Sequence, residues 1–227
     1  MKTTTYFNPS FELLSTIKPT YSIAEIDQET SVYSASPKYL REHGGPISQA
    51  FLDAVPQAFY DKAKALSFNV IVDVRIHRLN RGEFPAVPGW HVDGDVRADY
   101  FSQPDITKQD ILGDHIICAV SSHEDGVSNF EIIPDRLKVD LDMEDPDRTV
   151  YAQLHEYVEG HSIPRISTRD GQVYFMNSQT IHRAMPARVR GWRIFFRMSM
   201  YHHGYLAGEG KVAKQQQVYI LSEGNGW

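Results

Sequence analysis

His91 and Asp93 are separated by a single residue, and both side-chain types are common metal ligands. In an extended segment, residues two apart point to the same face, so this pair can approach one ion together. The sequence contains a second His-x-Asp, His123-Glu124-Asp125, within Ser-His-Glu-Asp-Gly. That composition is typical of turns, in which polar side chains bond to their own backbone. The first pair follows a predicted strand and is therefore the candidate metal-binding pair.

A third ligand must come from elsewhere in the chain, and His182, between two predicted strands, is the candidate. Two histidines and one carboxylate leave three positions of an octahedral metal open, which suits non-haem iron(II) and oxygen chemistry. Zinc hydrolases more often use His-Glu-x-x-His on a helix, a motif that the sequence lacks. A single cysteine, Cys118, rules out a cysteine-rich site. We therefore predict a metal held by His91, Asp93 and His182.

Arginines follow His182 on a predicted strand over residues 192–201. Four residues share one face of this strand by their alternate spacing: Arg193, Phe195, Arg197 and Ser199. An arginine that points into a protein interior is costly to bury without an anionic partner. A carboxylate is the natural partner, because the planar guanidinium can bind both of its oxygens. The strand therefore predicts a buried carboxylate group.

The chain has 227 residues, with 23 Lys and Arg against 29 Asp and Glu, which gives a net charge of −6. This length favours one large domain, 1–227, and 41% hydrophobic residues suffice for one core. The acidic balance argues against nucleic acid as a partner, because phosphate contacts require a basic surface. No stretch reaches the roughly 18 apolar residues of a membrane span, and the first residues lack the apolar run of a signal peptide. We predict a cytoplasmic protein that does not bind membranes.

Two predicted elements precede the candidate metal pair. Apolar residues at helical spacing between 46 and 66, interrupted by Pro56, predict two short helices or one kinked helix outside a sheet. Between 68 and 77, apolar and polar residues alternate with a period of two, which predicts a strand with one dry face. The other face carries polar side chains, namely Asp73, Arg75 and His77. A polar strand face of this kind indicates the wall of a cavity.

Short strands dominate the rest of the chain. Residues 115–120 and 129–133, joined by a Glu-Asp-Gly turn, are predicted to form an antiparallel pair. The other predicted elements are an acidic loop at 140–147, a helix at 150–158 and strands at 171–176 and 192–201. Many short antiparallel strands with helices outside them predict a mainly β fold with flanking helices, either a β-sandwich or a jelly roll.

These motifs resemble those of the iron(II)- and 2-oxoglutarate-dependent dioxygenases. His91 and Asp93 match the His-x-Asp of that family, His182 matches its distal histidine, and an arginine follows on the next strand. The resemblance covers about residues 68–201 and implies that this range forms a double-stranded β-helix core, which is a jelly-roll, cupin-like fold. The flanking parts are then an N-terminal helical part at about 1–67 and a C-terminal tail at 202–227.

The resemblance implies a hydroxylase that uses iron(II), O2 and 2-oxoglutarate and releases succinate and CO2. In the branch similar to taurine and phytanoyl-coenzyme A dioxygenases, the co-substrate arginine lies about eleven residues after the distal histidine, which here is Arg193. Some members place a substrate-contacting arginine four residues later, which is Arg197. Other branches bind the co-substrate through Arg-x-Ser, and Arg197-Met198-Ser199 fits that motif. The division of roles stays open, with Arg193 preferred for the co-substrate.

Further contacts to co-substrate and substrate are expected near these ligands. Asn177, near the end of a predicted strand, is a candidate for presenting an amide to 2-oxoglutarate. Arg75 and His77 on the polar strand face, and Trp90 next to His91, are candidates for the substrate side. On this interpretation the substrate is a small polar or anionic metabolite or biosynthetic intermediate.

The C-terminal tail carries less information. His202 and His203 are adjacent, so on a strand they point in opposite directions and cannot both reach one ion. We expect them to be structural or to lie on the surface. Residues 218–221 predict a last short strand, which is a candidate edge strand or homodimer contact.

Two rival functions stay open on the residues alone. One is a non-catalytic jelly-roll or cupin-like module that binds a ligand, in which His91 and His182 are structural. The other is a cupin-type metalloenzyme that does not use 2-oxoglutarate. Only the 2-oxoglutarate hypothesis needs a carboxylate-binding arginine beyond the distal histidine, so the place of the arginines in the fold discriminates among the three.

Overall fold

The computed structural model of the chain describes residues 2–93, 113–145, 147–201, 210–212 and 214–220. The helices in these ranges are α1 (Ile23–Asp27), α2 (Pro37–His43), α3 (Pro46–Ala54), α4 (Gln57–Ala65) and α5 (Val150–Gly160). The strands are β1 (Lys2–Phe7), β2 (Phe11–Thr16), β3 (Val32–Ala35), β4 (Asn69–Leu79), β5 (Asp114–Ser121), β6 (Phe130–Ile132), β7 (Leu137–Asp142), β8 (Ile166–Ser167), β9 (Gln172–Asn177), β10 (His182–Ala184), β11 (Gly191–Tyr201) and β12 (Gly210–Lys211). None of these helices is long and apolar enough to cross a bilayer.

The strands form one large sheet and two small ones. The large sheet has seven strands in the order β12-β3-β4-β11-β5-β9-β2. A three-stranded sheet has the order β10-β6-β8, and β1 pairs with β7. Neighbouring strands are antiparallel in all three sheets. The fold is mainly β with flanking helices and a cupin-like, jelly-roll-like core, as the sequence predicts.

The register of the central strands decides which side chains share a face. On β4, the residues opposite Arg193, Phe195 and Arg197 of β11 are His77, Arg75 and Asp73. On β5, the residues opposite the same three are Ser121, Ala119 and Ile117. Directly opposite side chains in an antiparallel pair project from the same side of the sheet. The predicted polar face of residues 68–77 therefore lies beside the arginine face of β11.

The other face of these two strands is dry and packs under the helices. Its buried residues include Val72, Val74 and Ile76 of β4 and Ile194, Phe196 and Met198 of β11. Phe51 of α3 stacks on Phe196 with ring centroids 4.7 Å apart. Burial of each such side chain stabilises the fold by about 1.5 to 3 kcal/mol. Pro56 precedes α4 and cannot donate a helical hydrogen bond, so the predicted segment forms two separate helices.

A second core lies beneath α5 and holds the chain just before His91. The Thr149 hydroxyl caps this helix by accepting a 3.0 Å hydrogen bond from the backbone nitrogen of Ala152. Apolar side chains of the helix pack against those of β7 and the strand connections, and the buried members include Val150, Tyr151, Leu154, Leu137, Val139, Leu141, Trp90 and Ile181. Because Trp90 directly precedes His91, this core fixes the start of the candidate metal-binding segment.

Residues 115–120 and 129–133 do not pair with each other, so that prediction is wrong. β5 lies between β11 and β9 in the large sheet, whereas β6 lies between β10 and β8 in the small sheet. The segment between them, which includes Gly126 at a φ of 73°, carries the chain from one sheet to the other. A Glu-Asp-Gly turn reverses the chain locally, but the hydrogen-bond partners of the following strand are set by long-range packing.

The N-terminal part, predicted as helical, also contributes strands. β1 pairs with β7, β2 with β9 and β3 with β4, so this part extends the sheets that it was expected only to cover. The predicted acidic loop at 140–147 likewise begins inside β7. In that strand Leu137, Val139 and Leu141 are buried while the residues between them are exposed. Asp140, the first acidic residue of the predicted loop, belongs to the solvent-exposed face of this strand.

The predicted last strand at 218–221 is represented by one antiparallel bridge between Tyr219 and Phe84. Their backbone groups exchange hydrogen bonds of 2.8 and 2.9 Å. Leu221, His202 and His203 lie outside the described residues.

Candidate metal centre and its cavity

His91, Asp93 and His182 come together at one end of the small sheet. Their ligand atoms all lie within 4.8 Å of one another. The backbones of His91 and His182 form an isolated antiparallel bridge, with reciprocal N–H to O distances of 3.0 and 2.9 Å. The imidazole centroids are 4.5 Å apart. Tertiary pairing therefore brings together two histidines that lie far apart in the sequence.

Both imidazoles are oriented by backbone carbonyls. Nδ1 of His91 lies 3.0 Å from the carbonyl oxygen of Gly89, and Nδ1 of His182 lies 2.9 Å from that of Thr180. A carbonyl can only accept, so Nδ1 of each ring carries a proton and Nε2 is the nitrogen that can bind a metal. Burial lowers the pKa of His91 to about 4, and His182 acts in the same direction. His91 is therefore neutral at pH 7, the form that binds a metal.

Asp93 is charged and held in place by its neighbours. Its Oδ2 lies 2.9 Å from Nη1 of Arg197 and 3.6 Å from Nε2 of His182. Burial alone would raise the pKa of this carboxyl group, but Arg197 and then His182 outweigh it and hold the pKa well below its usual range. Asp93 is thus an anionic oxygen ligand directed toward two imidazoles.

Arg197 is already committed to two carboxylates. Besides Asp93, its Nη2 donates to Oδ2 of Asp73 at 2.8 Å, and its Nε donates to the same oxygen at 3.3 Å. Burial favours the neutral guanidine, but Asp93 and Asp73 together raise the pKa of Arg197 well above its usual value. The sequence predicts that this arginine contacts substrate or co-substrate. In the structure it links Asp73 of the large sheet to Asp93, a proposed metal ligand.

Arg193 is in a different situation. It is 4% exposed, its Nε donates to the Ser128 carbonyl oxygen at 2.8 Å, and its guanidinium lies 5.0 Å from the Phe195 ring centroid. No carboxylate of the described residues lies within ion-pair distance of it. Burial lowers its pKa to about 10, although Asp170 acts in the opposite direction. Arg193 is therefore a buried cation that can accept a carboxylate ligand.

The proposed metal ligands and these arginines line one cavity of about 230 Å³. Its charged and polar lining residues are Arg75, His91, Asp93, Tyr151, His182, Arg193 and Arg197. Its apolar lining residues are Val87, Val92, Ile117, Phe130, Met176, Ala184 and Phe195. The cavity is bounded by the large sheet on one side and by the small sheet on the other, as expected from the polar face of β4.

Four residues predicted to contact co-substrate or substrate are not in the cavity lining. His77 is 1% exposed, and Trp90 is fully buried, donates from Nε1 to Glu159 at 2.8 Å and belongs to the second core. Ser199 lies 2.7 Å from Nδ1 of His115. The Asn177 amide bonds to the N-terminal segment, accepting from the Ser10 nitrogen at 3.0 Å and donating to the Asn8 carbonyl at 3.0 Å.

His115 is a buried histidine beside the centre that the sequence did not single out. It is fully buried, and its Nε2 has no hydrogen-bond partner among the described residues. Burial lowers its pKa to about 4, with Asp93 acting in the opposite direction. Its only sequence signal is one polar residue at the start of an apolar strand, and its place opposite Ser199 depends on register.

Tyr151 was also missed. Its hydroxyl donates to the Val92 carbonyl oxygen at 3.0 Å, so it fixes the backbone between the first two proposed ligands. Its ring lies edge-on to the His91 ring with centroids 6.1 Å apart. The sequence predicts only the helix that carries Tyr151, and the packing of α5 places this residue at the cavity.

The donor set fits a divalent transition metal of the iron(II) type. Two imidazoles and one carboxylate form a donor set that is intermediate between soft thiolate sites and the all-oxygen sites of magnesium or calcium. The three residues are part of the cavity lining, and the cavity leaves space beside them for small molecules. Such a set supplies three protein ligands and leaves other coordination positions for small molecules.

Comparisons with known proteins find structural likeness at low sequence identity. No protein-family model and no curated protein sequence matches the chain. EvdMO1 aligns at 11% identity and a TM-score of 0.36 over 66% of this chain and 31% of its own length, so the chain spans about a third of that protein. The non-heme monooxygenase ThoJ aligns as its nickel complex (13% identity, TM-score 0.34, 82% of this chain, 72% of ThoJ) and in its apo form (12%, 0.35, 82% and 73%).

Proposed function

We propose that the protein is an iron(II)- and 2-oxoglutarate-dependent oxygenase, most simply a hydroxylase, that acts on a small polar or anionic molecule. The observation that carries the proposal is the composition of one cavity. It contains a two-histidine, one-carboxylate ligand set together with Arg193, a buried arginine with no carboxylate partner among the described residues. Iron bound there would supply the activation of O2, with one oxygen atom passing to succinate as CO2 is released from 2-oxoglutarate and the other to a substrate C–H bond.

The protein's own contribution begins with ligand preorganisation. His91 and His182 are held with Nε2 as the lone-pair nitrogen, and Asp93 is held ionised by Arg197. His91, which is neutral at pH 7, and Asp93, which is ionised, therefore need not lose a proton before they bind a metal. Tyr151 fixes the backbone carbonyl between His91 and Asp93, which limits movement of that pair.

Arg193 is the residue proposed to bind the carboxylate of 2-oxoglutarate that is remote from the metal. Arg197 is less suited, because its donors already bind Asp73 and Asp93. The Ser128 carbonyl holds Nε of Arg193, so the terminal nitrogens keep a fixed plane. A fixed plane suits the paired hydrogen bonds between guanidinium and carboxylate.

The apolar walls of the cavity give the second contribution. Ile117 and Phe195 of the large sheet and Phe130 of the small sheet line the cavity and pack in one apolar cluster. Such walls exclude water from a bound co-substrate, which strengthens its ion pair with Arg193. They also leave room for a substrate with a hydrocarbon part beside the metal.

The proposal is tested on the purified protein after removal of metal by chelation. Manganese(II) is added in place of iron so that no turnover occurs, and 2-oxoglutarate is titrated by calorimetry with and without metal. We expect one metal per chain and 2-oxoglutarate binding that requires it. With iron(II), ascorbate and air, succinate should then accumulate, as measured by mass spectrometry.

Two results would replace this proposal with one of its rivals. Metal binding without any affinity for 2-oxoglutarate would support a cupin-type metalloenzyme that uses no co-substrate. Absence of both would support a non-catalytic ligand-binding module, in which the two histidines only connect the strands.

A further inference from the structure

Arg75 is a cation of the cavity that has no role in the proposed binding of metal or 2-oxoglutarate. It lies on β4 directly opposite Phe195 and lines the cavity with the proposed metal ligands. Its side chain makes no hydrogen bond or ion pair with any residue that the structure describes, and it is only partly exposed. A charged group in a partly dehydrated cavity costs free energy unless an opposite charge accompanies it.

The other charges of the cavity are accounted for. Arg197 is paired with Asp73 and Asp93. Arg193 is assigned to 2-oxoglutarate and has Asp170 as the largest favourable influence on its charge. Asp73, which the sequence places two residues before Arg75, binds Arg197 instead, so it does not neutralise Arg75. Among the residues that the structure describes, no anionic side chain is paired with Arg75, so Arg75 can take an anionic ligand.

We propose that Arg75 binds a carboxylate of the substrate, so that the protein oxidises small carboxylic acids. This inference rests on the proposed function and names its substrate class. A carboxylate is chosen because the guanidinium fork matches its two oxygens. The apolar wall next to Arg75 includes Phe195, Phe130 and Met176, which suits a hydrocarbon chain attached to the acid.

The position of Arg75 separates its task from that of Arg193. Along β11, Phe195, the partner of Arg75, lies between Arg193 and the Arg197 that contacts the metal-binding aspartate. Arg75 is therefore closer in register to the metal side of the cavity than Arg193 is. An acid held there places its carbon chain over the apolar wall with the metal side within reach, while the co-substrate carboxylate occupies the Arg193 end. The cavity volume of about 230 Å³ restricts the acid to a short chain.

The experiment uses the manganese(II)-loaded protein saturated with 2-oxoglutarate. Linear monocarboxylates from propanoate to octanoate are titrated, each beside its primary amide, which has the same shape without the charge. We expect at least one acid to bind at least tenfold more tightly than its amide. In Arg75→Gln this preference should disappear, whereas Arg75→Lys should keep part of it. The matched control is Arg78→Gln, a change at an exposed arginine on the same strand.

The affinity for 2-oxoglutarate is measured in the same variants. Arg75→Gln should leave its dissociation constant within twofold of that of the unchanged protein. Since the Arg75 side chain makes no hydrogen bond or ion pair with the described residues, the variant should also keep its melting temperature. A tenfold loss of 2-oxoglutarate affinity in Arg75→Gln would assign this arginine to the co-substrate and overturn the inference.

The remaining outcomes are also decisive. If 2-oxoglutarate does not bind the unchanged protein, the proposed function itself fails, and this is known before any acid is added. If 2-oxoglutarate binds but no acid binds more tightly than its amide, the proposed function survives and the role of Arg75 fails. Equal loss of acid binding in Arg75→Gln and Arg78→Gln would also overturn it, as would tighter binding of methyl phosphate or methanesulfonate than of every acid.

Discussion

Nη1 of Arg197 lies 2.9 Å from Oδ2 of Asp93, so an arginine of the large sheet directly contacts a proposed metal ligand. The same guanidinium is 2.8 Å from Asp73, whose side chain is 4% exposed. One cation therefore serves two buried carboxylates. Removing one member of a buried ionic network leaves uncompensated charge, which is costly even where the intact network contributes little net stability.

Replacement of Arg197 by Met is expected to lower the free energy of unfolding of the metal-free protein by about 3 to 5 kcal/mol. Adding Asp73→Asn should recover part of the loss, because it removes one of the two buried charges that have lost their partner. The measurement is urea denaturation followed by circular dichroism. Arg148, which also contacts two carboxylates but is 49% exposed, is the matched control. Arg148→Met should cost much less than Arg197→Met because solvent screens its ion pairs, and an equal cost at both sites would contradict this view.

Metal binding is expected to require His91, Asp93 and His182. Alanine at any of them should abolish stoichiometric iron(II) loading, measured by metal analysis after dialysis. His123→Ala is the control, since His123 belongs to the other His-x-Asp, is 42% exposed and lies 3.8 Å from Asp125. Unchanged metal affinity in His182→Ala would rule out this centre.

Asp93→Glu tests how tightly the ligand position is defined. One added methylene displaces the carboxylate by more than the roughly 0.2 Å tolerance of a metal–ligand bond, so succinate formation should fall steeply although the charge is kept. Arg197 limits any compensating shift of the carboxylate, because its Nη1 lies 2.9 Å from Oδ2 of Asp93. Full turnover of this variant would show that Asp93 is not a direct ligand.

Arg193→Lys separates the co-substrate site from the metal site. The lysine keeps a positive charge but loses the planar fork, so 2-oxoglutarate binding should weaken by about 1.5 to 3 kcal/mol, roughly tenfold to more than a hundredfold. Iron(II) loading should be unchanged. Calorimetric titration of the manganese(II) protein measures the effect, with Arg78→Lys as control. If Arg193→Lys bound 2-oxoglutarate with normal affinity, Arg193 would not be the residue that binds the co-substrate carboxylate.

The acid stability of the protein is expected to depend on His77. Burial lowers its pKa to about 3, and the charges of Arg193 and Arg75 act in the same direction. The unfolded chain takes up this proton near pH 6.5 but the folded chain does not, so stability falls as the pH drops from about 6.5 toward 3. One such group contributes a slope of up to about 1.4 kcal/mol per pH unit.

Urea titrations between pH 4 and 7 measure that slope. His77→Gln should reduce the slope of the unfolding free energy against pH, whatever its effect on absolute stability. His43→Gln, at an exposed histidine, is the matched control for loss of a histidine. An unaltered slope in His77→Gln would mean that His77 is not neutral in the folded state.

Much of the fold was predictable because its signals are local. The period of two in residues 68–77 and 192–201 predicts strands with one dry face, and the structure places those faces against the helices. Pro56 predicts the break between two helices for a local reason, the missing N–H of proline. The prediction that 115–120 pairs with 129–133 is wrong because a turn motif determines only the local reversal of the chain. It does not determine which strands form hydrogen bonds with each other.

The sequence by itself determined the chemical types available for the site. Two histidines and an aspartate suited to a metal, and arginines alternating on one strand, follow from residue identity and from the two-residue repeat of a strand. These properties depend on neighbours a few residues away, so they are visible without the fold.

Only the tertiary structure decided which charges meet. Asp73 is bonded to Arg197 across strands, while Arg75, two residues away, points into the cavity without a partner among the described residues. Tyr151 lines the cavity, whereas Trp90 is packed in the second core. The physical reason is register: a shift of one residue between antiparallel strands would move every side chain of one strand to the opposite face, and local periodicity does not specify that shift.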